Sequence, residues 1–158
     1  MEPTHWNCDT CGEMIDRPHD GWVEWFCKVE NGIRSGSGFR LVHKSAASPR
    51  GGARNCQYDG RAVQLEGGMA LKDDDMTEFM GADGLTRLLC MLSDNELPKD
   101  EVIEMIKRLH VPGYETARDY FEQAISGSAF SPRLKPGFHT QSEIMATIAW
   151  AEERGDVR

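Results

Sequence analysis

Residues 22–30 read Trp-Val-Glu-Trp-Phe-Cys-Lys-Val-Glu, which puts Val23, Trp25, Cys27 and Val29 on one apolar side of an extended strand and Glu24, Lys28 and Glu30 on the wet side. Asn31-Gly32 follows as a hairpin signal, because both types tolerate the left-handed backbone that a tight turn needs. The turn is either tight there or looser, running through Ser35-Gly36-Ser37-Gly38. The chain then returns as a second strand over residues 39–44, with Phe39, Leu41 and His43 on one face. Ala62-Val63-Gln64-Leu65 has the composition of a further strand.

Beyond residue 72 the period changes from two to between three and four. Asp73-Asp74-Asp75 suits the amino end of a short helix carrying Met76, Phe79 and Met80, which Gly81 ends. Asp83 is placed to cap a helix containing Leu85, Leu88, Leu89 and Leu92, with Cys90 beside the stripe as a small core filler. Pro98 opens a third helix with Val102, Met105, Ile106 and Leu109 on one side. After Val111-Pro112-Gly113 a fourth runs from Tyr114, burying Ala117, Phe121 and Ala124 or Ile125, to Ser126-Gly127. The last starts at Thr140-Gln141-Ser142-Glu143, a capping-box pattern, and stops at Gly155.

The expectation is an α+β protein: a small β-hairpin domain over residues 1–68, then a four- to five-helix domain over 69–158 packed against it, with the boundary near Gly67-Gly68. Charge divides at the same place. The chain carries 18 basic and 26 acidic side chains, net -8, and the first 68 residues hold eight and nine of them, so the acidity belongs to the helical half. No run approaches the roughly 18 apolar residues of a membrane span, and Met1–Trp6 lacks the basic-then-apolar order of a secretory leader. A cytoplasmic location is expected.

Five cysteines in such a chain cannot all pair internally and would not persist as disulfides in a reducing compartment. Cys8-Asp9-Thr10-Cys11-Gly12 is the most informative stretch. Two thiolates two residues apart can both turn inward on a tight loop, and the glycine lets backbone N–H groups approach sulfur. A tetrahedral zinc shell needs two more ligands, from Cys27, His43, Cys56 or His19. Cys27 lies on the face of Val23, Trp25 and Val29 and reads as a packed thiol. His43 ends an apolar strand face where its ring can leave the sheet, although a histidine merely hydrogen-bonded there fits the same position. Cys56 sits in a polar loop. The expected shell is Cys8, Cys11, His43 and Cys56. Thioredoxin-like redox chemistry fits Cys8 and Cys11 less well, because no strand-to-helix context surrounds them.

Cys8-x-x-Cys11-Gly12, the following hairpin and a distant second ligand pair resemble zinc-knuckle and zinc-ribbon modules over about the first sixty residues. That resemblance implies structural zinc and binding to protein or nucleic acid. His43 and Cys56, twelve residues apart between them, depart from the tight second pair of those modules.

Nothing nominates an enzyme. A hydrolytic zinc keeps an open position, which four protein ligands remove. There is no His-Glu-x-x-His, no Gly-x-Ser-x-Gly, no Walker loop, and no His-x-Glu with Pro-Cys-x-x-Cys. Residues 33–61 carry Arg34, Arg40, Lys44, Arg50, Arg54 and Arg61 against Asp59 alone, a local excess that would attract phosphate. The helix pair around Val111-Pro112-Gly113 is unsuited to DNA, because its second helix carries Glu115, Asp119 and Glu122 against Arg118. The leading expectation is a regulatory or adaptor protein that binds a protein partner, with Met76, Met80, Met91, Met105 and Met145 available for an adaptable groove. The alternative is a nucleic-acid-binding protein that uses Arg34, Arg40, Lys44, Arg50 and Arg54.

Overall fold

The computed structural model describes residues 5–52, 55–132, 135 and 137–156. The chain forms two compact units, one ending at His110 and one beginning at Val111.

The first unit is built on an antiparallel sheet of order β4-β3-β5, formed by β3 (Gly21–Glu30), β4 (Ile33–His43) and β5 (Ala70–Asp75). A separate two-residue ladder joins β1 (Trp6–Asn7) to β2 (Met14–Ile15). The turn between β3 and β4 is the tight one: Asn31 and Gly32 take φ of 52° and 78°, the left-handed values the dipeptide favours. Ser35-Gly36-Ser37-Gly38 therefore lies inside β4. Trp22 pairs with Val42 and Glu24 with Arg40, then a register shift between Glu24 and Phe26 sets Phe26 opposite Ser37. Such a bulge bends the ribbon.

Helices α2 (Gly81–Asp94) and α3 (Lys99–His110) pack on each other, and α3 lies against β4. Val23, Leu41, Met76, Phe79, Leu88, Val102, Met105 and Leu109 form the buried core with Trp6 and Ile15. Trp25 meets Phe39 and Phe79 edge to face at 5.5 and 6.4 Å. A Cβ on Gly84 would lie 2.0 Å from the carbonyl carbon of Phe79, so this glycine is what allows α2 to approach the 3-10 turn Met76–Phe79.

The second unit contains α4 (Tyr114–Ala117), α5 (Phe121–Ser126) and α6 (Gln141–Arg154). Tyr114, Ala117, Phe121 and Ile144 form its core. His139 stacks on Phe121 at 3.7 Å. Thr140 and Glu143 make the expected capping box, and Gly155 closes α6 with φ of 71°.

Several expectations change. The division falls at Val111 and not near Gly67-Gly68, because β5 completes the sheet by pairing with β3 and because α2 and α3 share its core. Residues 62–65 are helical, within α1 (Gly60–Gly67). Asp59 caps that helix by accepting from the Arg61 and Ala62 amides, and Gly68 at φ 61° ends it. Asp73-Asp74-Asp75 lies in β5, with Asp75 capping the following 3-10 turn. Asp83 sits in the first turn of α2 rather than at its cap, and Gly81 starts that helix instead of ending the previous one. The expected fourth helix is two, α4 and α5.

Glu24, expected in water, is completely buried, while Val29 is exposed at the far end of the hairpin, beside the Asn31-Gly32 turn. Cys90 and its neighbour Leu89 are exposed rather than core. Of the five methionines named above, Met76 and Met105 are core, Met80 and Met91 pack against it, and Met145 is exposed. No helix among the described residues is long and apolar enough to cross a membrane.

Candidate metal centre

The β1–β2 ladder frames the loop that carries the first two thiols. Cys8 N–H donates to the Glu13 carbonyl at 2.9 Å and Gly12 N–H to the Cys8 carbonyl at 2.9 Å, closing the loop on itself. Gly12 holds φ of 74° with nothing within 4 Å of a notional Cβ, so the backbone conformation and not space demands glycine. His43 enters from the last residue of β4. Cys56 enters from the loop after the 3-10 turn Ser45–Ala47.

These elements bring four donors together. One ligand atom each from Cys8, Cys11, His43 and Cys56 lies within 4.8 Å of every other. His43 Nδ1 is 3.5 Å from Cys11 Sγ and 3.8 Å from Cys56 Sγ. Zinc–sulfur bonds of ~2.3 Å and zinc–nitrogen bonds of ~2.0 Å in a tetrahedron imply nitrogen–sulfur edges of ~3.5 Å. The spacing fits a four-coordinate ion. Cys8, His43 and Cys56 are buried and Cys11 is half-buried.

The surroundings orient the donors. His43 Nε2–H donates to the Met14 carbonyl at 3.1 Å, which leaves the Nδ1 lone pair aimed at the sulfurs. Ser48 Oγ lies 3.1 Å from Cys56 Sγ and also accepts from the Cys56 amide at 3.2 Å. Thr10 Oγ1 donates to the Cys56 carbonyl at 2.7 Å, tying the first loop to the second.

Burial pushes the Cys8 thiol up, but hydrogen bonds from the backbone of Cys11, Thr10 and His43 outweigh it and bring the group down to about 7. Burial pushes Cys11 up to about 12, helped by the sulfurs of Cys8 and Cys56 and opposed by the Glu13 backbone. Without a cation the cluster favours one thiolate over several, because adjacent anionic sulfurs repel. A divalent ion removes that repulsion.

The other candidates lie elsewhere. Cys27 sits in mid-β3 opposite Gly36 and is half-buried. His19 is exposed in the 3-10 turn Pro18–Asp20, on the rim of a cavity of about 390 Å³ that His43 also lines. Neither belongs to the four-donor group.

The cations of residues 33–61 do not share one surface role. Arg40 ion-pairs with buried Glu24 and stacks on the Tyr58 ring with its guanidinium carbon 3.2 Å from the centroid. Lys44 pairs with Asp75, and Arg34 lies 3.7 Å from Glu96. Arg50 is exposed and Arg54 lies outside the described residues.

Sequence reasoning missed the groups that hold the donors: Ser48, the Met14 carbonyl, the pair of Asp9 with Arg108 and the pair of Glu24 with Arg40. Spacing carries no trace of Asp9–Arg108, since the partners are 99 residues apart. The alternation of β3 pointed Glu24 outward, and only its cross-strand partner Arg40 hinted otherwise. No protein-family model, curated protein or solved structure matches the chain.

Proposed function

We propose that the protein binds one zinc ion through Cys8, Cys11, His43 and Cys56, and that it is a non-catalytic regulatory or adaptor protein in which this zinc is structural. The observation that carries the reading is the closed set of three thiols and one imidazole, within 4.8 Å of one another and mostly buried. Four protein donors fill a tetrahedral shell, leaving no position for substrate or an activated water. Three soft donors with one imidazole favour zinc over the hard cations, which take oxygen. Bound there, zinc would join the N-terminal loop, the end of β4 and the Cys56 loop, a cross-link worth most where short strands bury little surface.

Protein contact is favoured over nucleic acid. Arg34, Arg40 and Lys44 are engaged with carboxylates of the same unit. The net charge of -8 repels a polyanion. Leu89 and Ile103 present apolar surface on α2 and α3.

The test has two arms. Purified chain is expected to contain one zinc per molecule, and Cys56→Ser to lose it. Titration with single- and double-stranded DNA and RNA at low salt is expected to show no binding, whereas a partner captured by crosslinking should be lost from Leu89→Asp/Ile103→Asp. Nucleic-acid affinity that falls steeply with salt and disappears in Arg50→Glu/Arg54→Glu would replace the adaptor reading.

A further inference from the structure

Asp9 lies between the two loop cysteines, and its carboxylate receives a set of converging donors. Its carboxylate accepts from the Leu41 amide at 2.8 Å and from Arg108 Nη1 at 2.8 and 3.0 Å. Its own amide donates to the Leu41 carbonyl at 2.8 Å. Arg108, on α3, also donates through Nη2 to the Asn7 carbonyl at 2.8 Å and is 3% exposed. The Cys8–Cys11 loop is thereby fixed at both ends of one carboxylate. Leu41 ties it to β4 two residues before His43, and Arg108 ties it to the last turn of the helix.

We infer that Asp9 and Arg108 are positioning residues of the metal centre, and that through them α3 docking and metal loading are one coupled event. The inference rests on the metal assignment above and adds to it the element that responds.

Holding α3 to the sheet does not by itself require these groups. Val102, Met105 and Leu109 already bury against the core, and an ion pair whose arginine is desolvated while its carboxylate is partly exposed adds less to stability than apolar side chains of similar volume. What the pair adds is placement. A guanidinium that bonds both the carboxylate and the residue before Cys8 sets the orientation of the loop about two axes, with directional bonds that packing lacks. Loss of such outer support weakens metal affinity by about 10- to 100-fold while leaving the ligands in place. Coupling is reciprocal: if α3 stabilises the loop that grips the ion, the ion stabilises the seat of α3.

The experiment measures zinc and cobalt affinity of the full chain by competition with a chelator, for the parent, Asp9→Asn, Arg108→Met and Val102→Ala. Val102→Ala opens a cavity under the same helix, six residues before Arg108, and serves as the control for simple destabilisation. All are compared under conditions where each is folded. Asp9→Asn and Arg108→Met are expected to bind one equivalent about 10- to 100-fold more weakly, with an altered cobalt ligand-field spectrum. Val102→Ala should stay within about threefold of the parent, since a cavity lowers stability and not ligand geometry. Hydrogen exchange supplies the second readout. Zinc should slow the amides of residues 99–110 in the parent, and should no longer do so in Arg108→Met. Parental affinity in both Asp9→Asn and Arg108→Met, or equal weakening in Val102→Ala, would overturn the inference while leaving the zinc site standing. No binding by the parent would overturn the metal assignment, and this inference with it.

Discussion

Arg40→Met should destabilise the first unit by about 3–5 kcal/mol at neutral pH, the cost of leaving a buried charge without its partner. Glu24 is 0% exposed and Arg40 17%, so solvent does little to screen the pair. Arg40 donates to Glu24 Oε1 through Nε at 2.8 Å and Nη2 at 2.5 Å. Once both bonds are gone, the carboxylate keeps the Tyr58 amide, 3.1 Å from Oε1 and 3.2 Å from Oε2, as a neutral donor. Two charge-assisted bonds at roughly 1.5–3 kcal/mol each give the same magnitude.

The pH dependence follows from Glu24 itself. Burial raises its pKa above the ordinary carboxylate value, against the opposing hydrogen bond and charge of Arg40. A carboxyl with a raised folded value stabilises the fold below its unfolded pKa, and that contribution is lost as pH rises through the folded pKa. Removing Arg40 raises the folded value further, so the defect of Arg40→Met should grow between pH 5 and pH 8. Glu24→Leu/Arg40→Met removes both charges and should recover most of the loss. The assay is urea unfolding with zinc saturating, followed by tryptophan fluorescence in a Trp150→Phe background, so that Trp6, Trp22 and Trp25 report on the first unit alone. A loss under about 1 kcal/mol that is equal at both pH values, with the double variant no better than the single, would mean that Arg40 does not neutralise a buried Glu24 charge.

Cys8→Ser and Cys56→Ser should each abolish stoichiometric zinc by elemental analysis, whereas Cys27→Ser and Cys90→Ser retain it, because the last two lie outside the donor group. Gly84→Ala should cost more than the roughly 1–3 kcal/mol of ordinary overpacking, since its Cβ would meet fixed backbone at Phe79; a melting curve within error of the parent would contradict this. Asp75, held below its ordinary pKa by Lys44 and Thr77 against the opposing effect of burial, contributes stability that is present above pH ~3.8 and disappears as pH falls through its folded value. Asp75→Asn should therefore be destabilised at pH 7 and converge on the parent once pH has fallen through that folded value, as read by chemical denaturation across a pH series.

The legible features were those whose determinants are local. Asn31-Gly32 specified its turn, Thr140 and Glu143 specified a helix start, and Val102, Met105 and Leu109 showed the buried face of α3 through spacing alone. The four donors were legible because thiols and imidazole are rare and the residues around them argued against Cys27. What stayed hidden depends on tertiary partners. Glu24 follows the alternation of an exposed position and is nonetheless buried, because Arg40 opposite and the Tyr58 amide satisfy it. Residues 62–65 carry strand-like composition, but the Asp59 cap and the left-handed Gly68 enclose them in a helix. The unit boundary was misplaced because a shift in composition at Gly67-Gly68 says nothing about β5 returning to pair with β3.

The zinc assignment places one ion among three sulfurs and one ring nitrogen. X-ray absorption at the zinc edge of the purified full chain tests it directly. The expected spectrum fits three sulfur scatterers at ~2.3 Å and one imidazole nitrogen at ~2.0 Å, with no water in the shell. A shell of oxygen and nitrogen alone, or one that keeps three sulfurs and a nitrogen in Cys56→Ser, would contradict it.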